Sequence, residues 1–293
     1  MSLPTLHPPA PWRRVIAAQL RAVELTIRPS LVVAGVLTGV LATLLTASQL
    51  REGEGVGFFP EVALLTALAA SVLPVAVWRG EYRFRQSYLA SLPVDRTRHV
   101  LAKVAAGWVW LMGLTAAFAL GMLALAAATG GPIGADEMRV LLSDLPADAL
   151  PADLGPLARR WRTPGWHWAV FLTTATVTYL AGSAVVLAGS RVRRWLAGLV
   201  AGVVFYLLLA EQGLVGGELP GWVERAKEAF LAGRYGFLAL FAETPSYTLT
   251  PDVGPAIRAW GDRPTPGAWV LTTLLWTGLV TAALLGVVRR DRA

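Results

Sequence analysis

Residues 78–103, WRGEYRFRQSYLASLPVDRTRHVLAK, bring six Arg and Lys residues, two tyrosines and an SLPV turn between two strongly apolar stretches. Phe84, Tyr88 and Leu92 recur every four residues, and Glu81 precedes Arg85 by one helical turn, a spacing at which opposite charges support a helix. Pro93 drives Leu92 out of helical geometry, and Asp95 stands where an N-cap starts the next helix. The stretch reads as a short helix, a stop and a restart. A loop that only had to carry positive charge would need scattered Arg and Lys, not a helix with exposed Tyr and Leu. That surplus points to noncovalent docking of a protein partner.

Covalent chemistry has little to work with in this chain. It contains no cysteine, hence no thiol nucleophile, thiolate metal site or disulfide. His7, His99 and His167 lie at a terminus and at two edges of apolar stretches, too scattered for a metal site, and no HExxH pair occurs. The run GEGVG at 53–57 has no strand before it and no Lys-Ser/Thr after it, so it reads as an external hairpin and not a phosphate cradle. No nucleophile–base pair appears, and neither a catalytic residue nor a metal or cofactor of the chain's own is expected. Two hydroxyl stripes remain: Thr173, Thr176 and Ser183, and Thr273, Thr277 and Thr281. They suit interhelical hydrogen bonds or the lining of a substrate path.

The elements that must position these residues are membrane helices. Of 293 residues 55% are hydrophobic, too many for an ordinary soluble domain of this length. About 20 mostly apolar residues span the hydrocarbon layer as a helix. Six stretches come close: 31–48, 61–78, 100–129, 166–189, 195–214 and 267–288. Their interiors carry no Asp, Glu, Lys, Arg or His, whereas pumps and symporters driven by ions bury such groups. Work done by the protein must then draw on an outside energy source. Small residues recur at four-residue spacing in Gly35/Gly39, Gly113/Ala117/Gly121 and Gly198/Gly202, which suits close helix packing or a dimer contact. Trp78, Trp108, Trp166, Trp168, Trp195 and Trp269 mark span ends.

Charge placement orients the spans. The formal charge is +7, but it is not spread evenly: alternate connecting segments collect 16 basic and 4 acidic residues on one side and 10 and 15 on the other. This positive-inside pattern places both termini in the cytoplasm and explains the charge without nucleic acid. In residues 12–28, Trp12, Ile16, Leu20, Val23 and Ile27 share one helical face, with Arg14, Arg21 and Arg28 opposite. They predict an interfacial amphipathic helix with its apolar side toward acyl chains and arginines toward headgroups. External residues 211–266 predict short helices, of which FLALF is apolar enough to enter the outer leaflet, and DLPADALPADLGP predicts irregular outer surface. The expectation is an all-α, polytopic membrane protein forming one domain over residues 1–293.

The 79–99 segment resembles the loop after the second span in permeases of the type-2 class of ATP-binding-cassette (ABC) exporters. There an acidic-basic run leads into Leu-x-Ser/Thr-Leu-Pro-Val/Ile-x-Arg and then an apolar-apolar-x-Lys. Here those elements are Glu81, Leu89, Ser91, Leu92, Pro93, Val94, Arg96, Val100, Leu101 and Lys103. An amphipathic helix before the first span, six spans, and external helices between the last two are also similar to that family. The stretch 130–165 is longer than the corresponding loop.

The resemblance implies a permease subunit in the plasma (inner) membrane of a bacterium, with 79–99 as its cytoplasmic coupling segment. Glu81, Phe84, Arg85, Tyr88, Leu89, Leu92, Pro93 and Arg96 would dock a separate cytoplasmic ATPase dimer, which holds the ATP and Mg. The chain has no GxxxxGK[ST] and is not itself expected to be an enzyme. A second permease chain, identical or a sister, would complete the path among the membrane lipids. Thr173, Thr176, Ser183, Thr273 and Thr277 could line it, and uncharged spans favour export of an amphiphile, drug or lipid-like molecule. The alternative is a membrane scaffold or sensor that recruits a cytoplasmic partner and transports nothing.

Overall fold

The computed structural model describes residues 12–29, 55–60, 63–79, 96–145, 157–189, 233–242, 246–249, 257–261 and 265–290, with isolated positions between 192 and 231. Among the described residues five helices carry the fold: α1 (residues 12–29), α2 (Ala63–Val77), α3 (Arg96–Thr129), α4 (Val170–Leu187) and α5 (Pro266–Arg290). Three helical segments among these residues are long and apolar enough to cross a membrane: Thr97–Thr129, Gly165–Leu187 and Pro266–Arg289. The 15-residue α2 is equally apolar but shorter. These four helices fall on four expected spans; 31–48, and 195–214 apart from Gly198, lie outside the described residues, as does the pair Gly35/Gly39.

α4 is the central helix, more than half of its span buried against under a fifth for α3 and α5. Glycine lets its neighbours approach. A Cβ on Gly182 would stand 2.8 Å from the Ser71 carbonyl oxygen and 3.1 Å from Pro74 Cγ, so α2 lies backbone to backbone on α4. On the α3 side, a Cβ on Gly107 would overlap the Tyr179 hydroxyl, which donates to the Val104 carbonyl at 3.0 Å. Gly113 and Gly121, by contrast, have nothing within 4 Å of a Cβ, and with Ala117 they lie on an exposed face of α3. The four-residue spacing therefore marks a face that packs against nothing among the described residues, while isolated glycines make the contacts.

α3 has 34 residues, about 50 Å of helix, well beyond the ~30 Å hydrocarbon layer. It ends in a left-handed Gly130 (φ +69°), with the Gly131 N–H donating back to the Ala126 carbonyl at 2.9 Å, a Schellman closure. Residues 55–60 lie against this corner. Thr129 Oγ1 accepts the Val56 N–H at 2.9 Å, the Phe58 N–H donates to Pro132 O at 2.9 Å, and Gly134 N–H donates to Phe58 O at 2.8 Å. A side chain on Gly131 would overlap the Val56 carbonyl.

The all-α expectation is corrected at this end. Strands β1 (Asp136–Leu141), β2 (Ala158–Arg162), β3 (Ser246–Leu249) and β4 (Ile257–Trp260) form one sheet in the order β2-β1-β4-β3. The β1–β2 and β3–β4 pairs are antiparallel, and the central β1–β4 pair is parallel. Residues 211–266 are thus not simply external helices: the described part holds a 3-10 turn, Phe237–Phe241, and two strands. The extra length of 130–165 contains the other two strands. Strands of four to six residues have too few alternations to announce themselves locally, and the pairing that joins the two hairpins links positions more than a hundred residues apart.

α1 is corrected as well. Val23 and Ile27 are fully buried and Leu20 packs beside them, in a cluster with Trp78, Val100, Val104, Leu284 and Val288. The apolar face of this half of the helix meets the ends of α2, α3 and α5, not acyl chains. Leu25 is exposed.

Candidate functional site

Two regions collect side chains that can do more than pack. The first is at the end of the bundle opposite the sheet, where the 80–95 connection leaves α2 and enters α3. The Trp78 N–H donates to Pro74 O at 2.9 Å, and the Trp78 side chain is 1% exposed. Lys103 is buried with its Nζ 5.0 Å from the Trp78 ring centroid, a cation–π contact across the connection. Trp78 Nε1 is itself shielded and has no hydrogen-bond partner among the described residues. α1 closes the node: Arg98 lies over the Trp12 ring at 4.8 Å, Gln19 Nε2 donates to His99 Nδ1 at 3.3 Å, and Trp110 Nε1 donates to Leu20 O at 3.2 Å. Glu81, Phe84, Arg85, Tyr88, Leu89, Leu92 and Pro93 lie outside the described residues, and Arg96 opens α3.

In the α4 stripe, Thr173 and Thr176 are turned into their own helix. Thr173 Oγ1 donates to Val170 O at 2.9 Å and Thr176 Oγ1 to Leu172 O at 2.8 Å, the latter also accepting Trp108 Nε1 at 3.1 Å. Ser183 is fully buried at the level of Tyr179, where α4 meets its neighbours. Thr273 Oγ1 is shielded without a hydrogen-bond partner among the described residues, and Thr277 is half-buried. Back-bonding lowers the cost of Thr173 and Thr176 in apolar surroundings.

The second region is a cleft of about 210 Å³ under the sheet, lined by Pro60, Arg139, Trp161, Thr163, His167, Phe241, Ala242, Ser246, Arg258 and Trp260. Its roof is one sheet face. Register places Arg159 opposite Arg139 and pairs Val140 with Ala259, so Arg159, Arg139 and Arg258 form a row across β2, β1 and β4. Alternation puts Trp161 and Trp260 on the same face. The Arg139 guanidinium carbon lies 4.4 Å from the Trp161 ring centroid and 5.2 Å from that of Trp260, and Arg258 lies 5.4 Å from Trp260. The result is a ladder of indoles and guanidiniums.

Carboxylates answer part of this charge. Arg139 pairs with Glu137, its Nε donating at 2.7 Å, and Arg159 pairs with Asp144 at 2.8 Å. Arg258 has no carboxylate among the described residues; its Nη2 donates to Ser246 Oγ at 3.3 Å. On the opposite face, Arg160 grips Asp136 through two bonds of 2.7 and 2.8 Å, and this hydrogen bonding holds the Asp136 carboxyl below its ordinary 3.8. Behind the lining residues His167 and Phe241 lies a layer of aromatic packing. Trp166 stacks edge-on to His167 at 4.2 Å and meets Trp269 at 5.2 Å, Phe58 meets Trp168 at 5.2 Å, and Trp269 Nε1 donates to Leu240 O at 3.1 Å.

Trp166, Trp168 and Trp269 stand at the starts of membrane-length helices, as their sequence positions predict, whereas the roof residues are not among those the sequence marks. The available signal was the interleaving of Arg and Trp in ARRWR and IRAW. No group of His, Asp or Glu among the described residues could hold a metal ion. Comparison of the chain with family models, curated proteins and solved structures finds no match.

Proposed function

We propose that the chain is the membrane-spanning permease subunit of an ABC exporter of the type-2 class, driven by a separate cytoplasmic ATPase docked on the 80–92 helix. The observation that carries this reading is the node around Trp78. The two ends of the 80–95 connection are clamped to each other and to α1, so a push on the connection acts on α1, α2 and α3 together. Interiors packed at crystal-like density transmit such displacements. Two ATPase subunits closing on ATP would press the 80–92 helix and tilt the bundle between inward- and outward-facing states, with a second permease chain completing the path.

The chain ends support an even number of crossings. α1 packs at the connection end while residues 55–60 pack at the sheet end, and α4 finishes at the connection end while α5 begins at the sheet end. An odd number of passages within 30–54 and within 190–232 accounts for both reversals, as spans over 31–48 and 195–214 would provide. The described parts of segments 49–61, 130–165 and 211–266, the acidic side of the charge pattern, meet at the sheet end.

The test is co-purification of a tagged ATPase, encoded beside this chain, at matched permease expression. Buried aromatic and apolar anchors dominate such interfaces, so Tyr88→Ala or Leu89→Ala should each cost about 2 kcal/mol, roughly thirtyfold in affinity. Arg83→Ala should matter much less, since rim charges add little. Undiminished ATPase recovery with the Tyr88→Ala/Leu89→Ala double variant would remove the reading.

A further inference from the structure

We infer that the cleft under the sheet is a binding site for a phosphate-bearing headgroup, held between Arg139 and Arg258 over the Trp260 ring. The inference does not depend on whether an ATPase docks at the other end.

Three arginines stand side by side on neighbouring strands of one sheet face, an arrangement that is destabilising unless counter-charge is supplied. Glu137 and Asp144 supply two negative charges, on the Arg139 and Arg159 side, and the row keeps an excess positive charge at Arg258. The excess faces a cavity. Arg139 is ordered between two indoles, and its pairing with Glu137 uses Nε and Nη2, leaving Nη1 without a partner among the described residues. A guanidinium already fixed in place loses little entropy on meeting an oxyanion, which is what makes arginine suited to planar, multidentate recognition of phosphate.

Ser246 and Thr163 add hydroxyls to the lining, though Thr163 Oγ1 already accepts the Ala135 N–H at 2.7 Å. The surroundings select the rest of the ligand. Trp166, Trp168 and Trp269 lie between the membrane-length helices and the sheet, where tryptophans mark headgroup depth. A cavity at that depth, with aromatic walls and a cationic roof, suits the phosphate of an amphiphile whose chains remain in the bilayer. A small soluble phosphate ester offers the same oxyanion and is the natural competitor.

Full-length protein in a neutral detergent is titrated calorimetrically with glycerol phosphate. In parallel it is reconstituted into nanodiscs of phosphatidylcholine with or without phosphatidylglycerol, and retained lipid is counted by native mass spectrometry. The expected result is one saturable site, weakened about tenfold or more by Arg258→Gln, because a charge-assisted bond is lost. Arg258 is exposed, so that variant should fold. Arg160→Gln, on the opposite sheet face, should leave binding unchanged. Selective retention of phosphatidylglycerol without saturable glycerol phosphate binding would identify the source as lipid, and the reverse pattern a soluble ester; either supports the site. Failure of both probes to bind the wild type, or equal losses in Arg258→Gln and Arg160→Gln, overturns it.

Discussion

Gly107→Ala is a sharp test of how the bundle is held together. The new methyl group would overlap the Tyr179 hydroxyl and stand 3.0 Å from Tyr179 Cζ and 3.3 Å from Val77 Cγ2, at the meeting of α2, α3 and α4. Tyr179 is fully buried and cannot swing into solvent. Overpacking of this kind costs about 1–3 kcal/mol. Displacing the hydroxyl from the Val104 carbonyl adds about 1 kcal/mol, and alanine in place of glycine within a helix returns about the same. The net loss should be about 2 kcal/mol. Tyr179→Phe alone should cost about 1 kcal/mol through the lost hydrogen bond. In the double variant the overlapping atom is gone and the ring need yield only slightly, so Gly107→Ala should add almost nothing. A thermodynamic cycle on reversible unfolding in mixed micelles should therefore show a coupling of about 1–2 kcal/mol. Additive losses, or a Gly107→Ala variant as stable as the parent, would refute the claimed approach of α3 to α4.

Other outcomes follow from the same structure. Single cysteines at Ala90 and Arg193 should resist impermeant thiol reagents added outside, whereas those at Ala147 and Ser246 should label; labelling at Ala90 would reverse the orientation. Spin labels at Phe237 and Leu240 should report an apolar, water-poor setting, since Leu240 is fully buried against α5 and Phe237 lies 5.4 Å from the Trp276 ring; full water access at both would contradict that packing. Asp136 should aid β1–β2 pairing only when ionised. Its folded pKa lies below the ordinary 3.8, so the contribution is complete above that value and disappears as pH falls through the lower folded pKa. Asp136→Asn should accordingly speed amide exchange in β1 and β2 at neutral pH but not in strong acid, and equal effects at both pH values would show that the carboxylate has no part in it.

Much of the layout was legible because it rests on local composition. Apolar runs of span length and the sign of the flanking charges need no knowledge of neighbours, and the helices over 63–77, 96–129, 170–187 and 266–290 fall where those runs lie. The direction of the apolar face of α1 was readable too, since periodicity alone sets which residues share a side. What covers that face was not: acyl chains and the ends of α2, α3 and α5 are equally apolar, and only packing distinguishes them. The packing glycines show the same division. Regular spacing drew attention to Gly113 and Gly121, whereas Gly107 and Gly182 matter because of Tyr179 and Ser71 on other helices.

The sheet and its cleft belong wholly to the tertiary structure. DEMRVL and IRAW are too short to declare a strand, and their pairing with each other exists only when segments more than a hundred residues apart reach the same end of the bundle. Arg139, Trp161, Arg258 and Trp260 carry only the weak signal of Arg–Trp interleaving in sequence, where charged and aromatic residues at the edge of a membrane helix are expected on either reading. The sequence by itself determined that the chain carries apolar helices of membrane-spanning length and which residues of α1 share a face, because transfer free energy and periodicity act residue by residue. Only the fold decided that Arg139, Arg258 and two indoles face one cavity, because strand register, a relation between distant segments, sets which side chains meet.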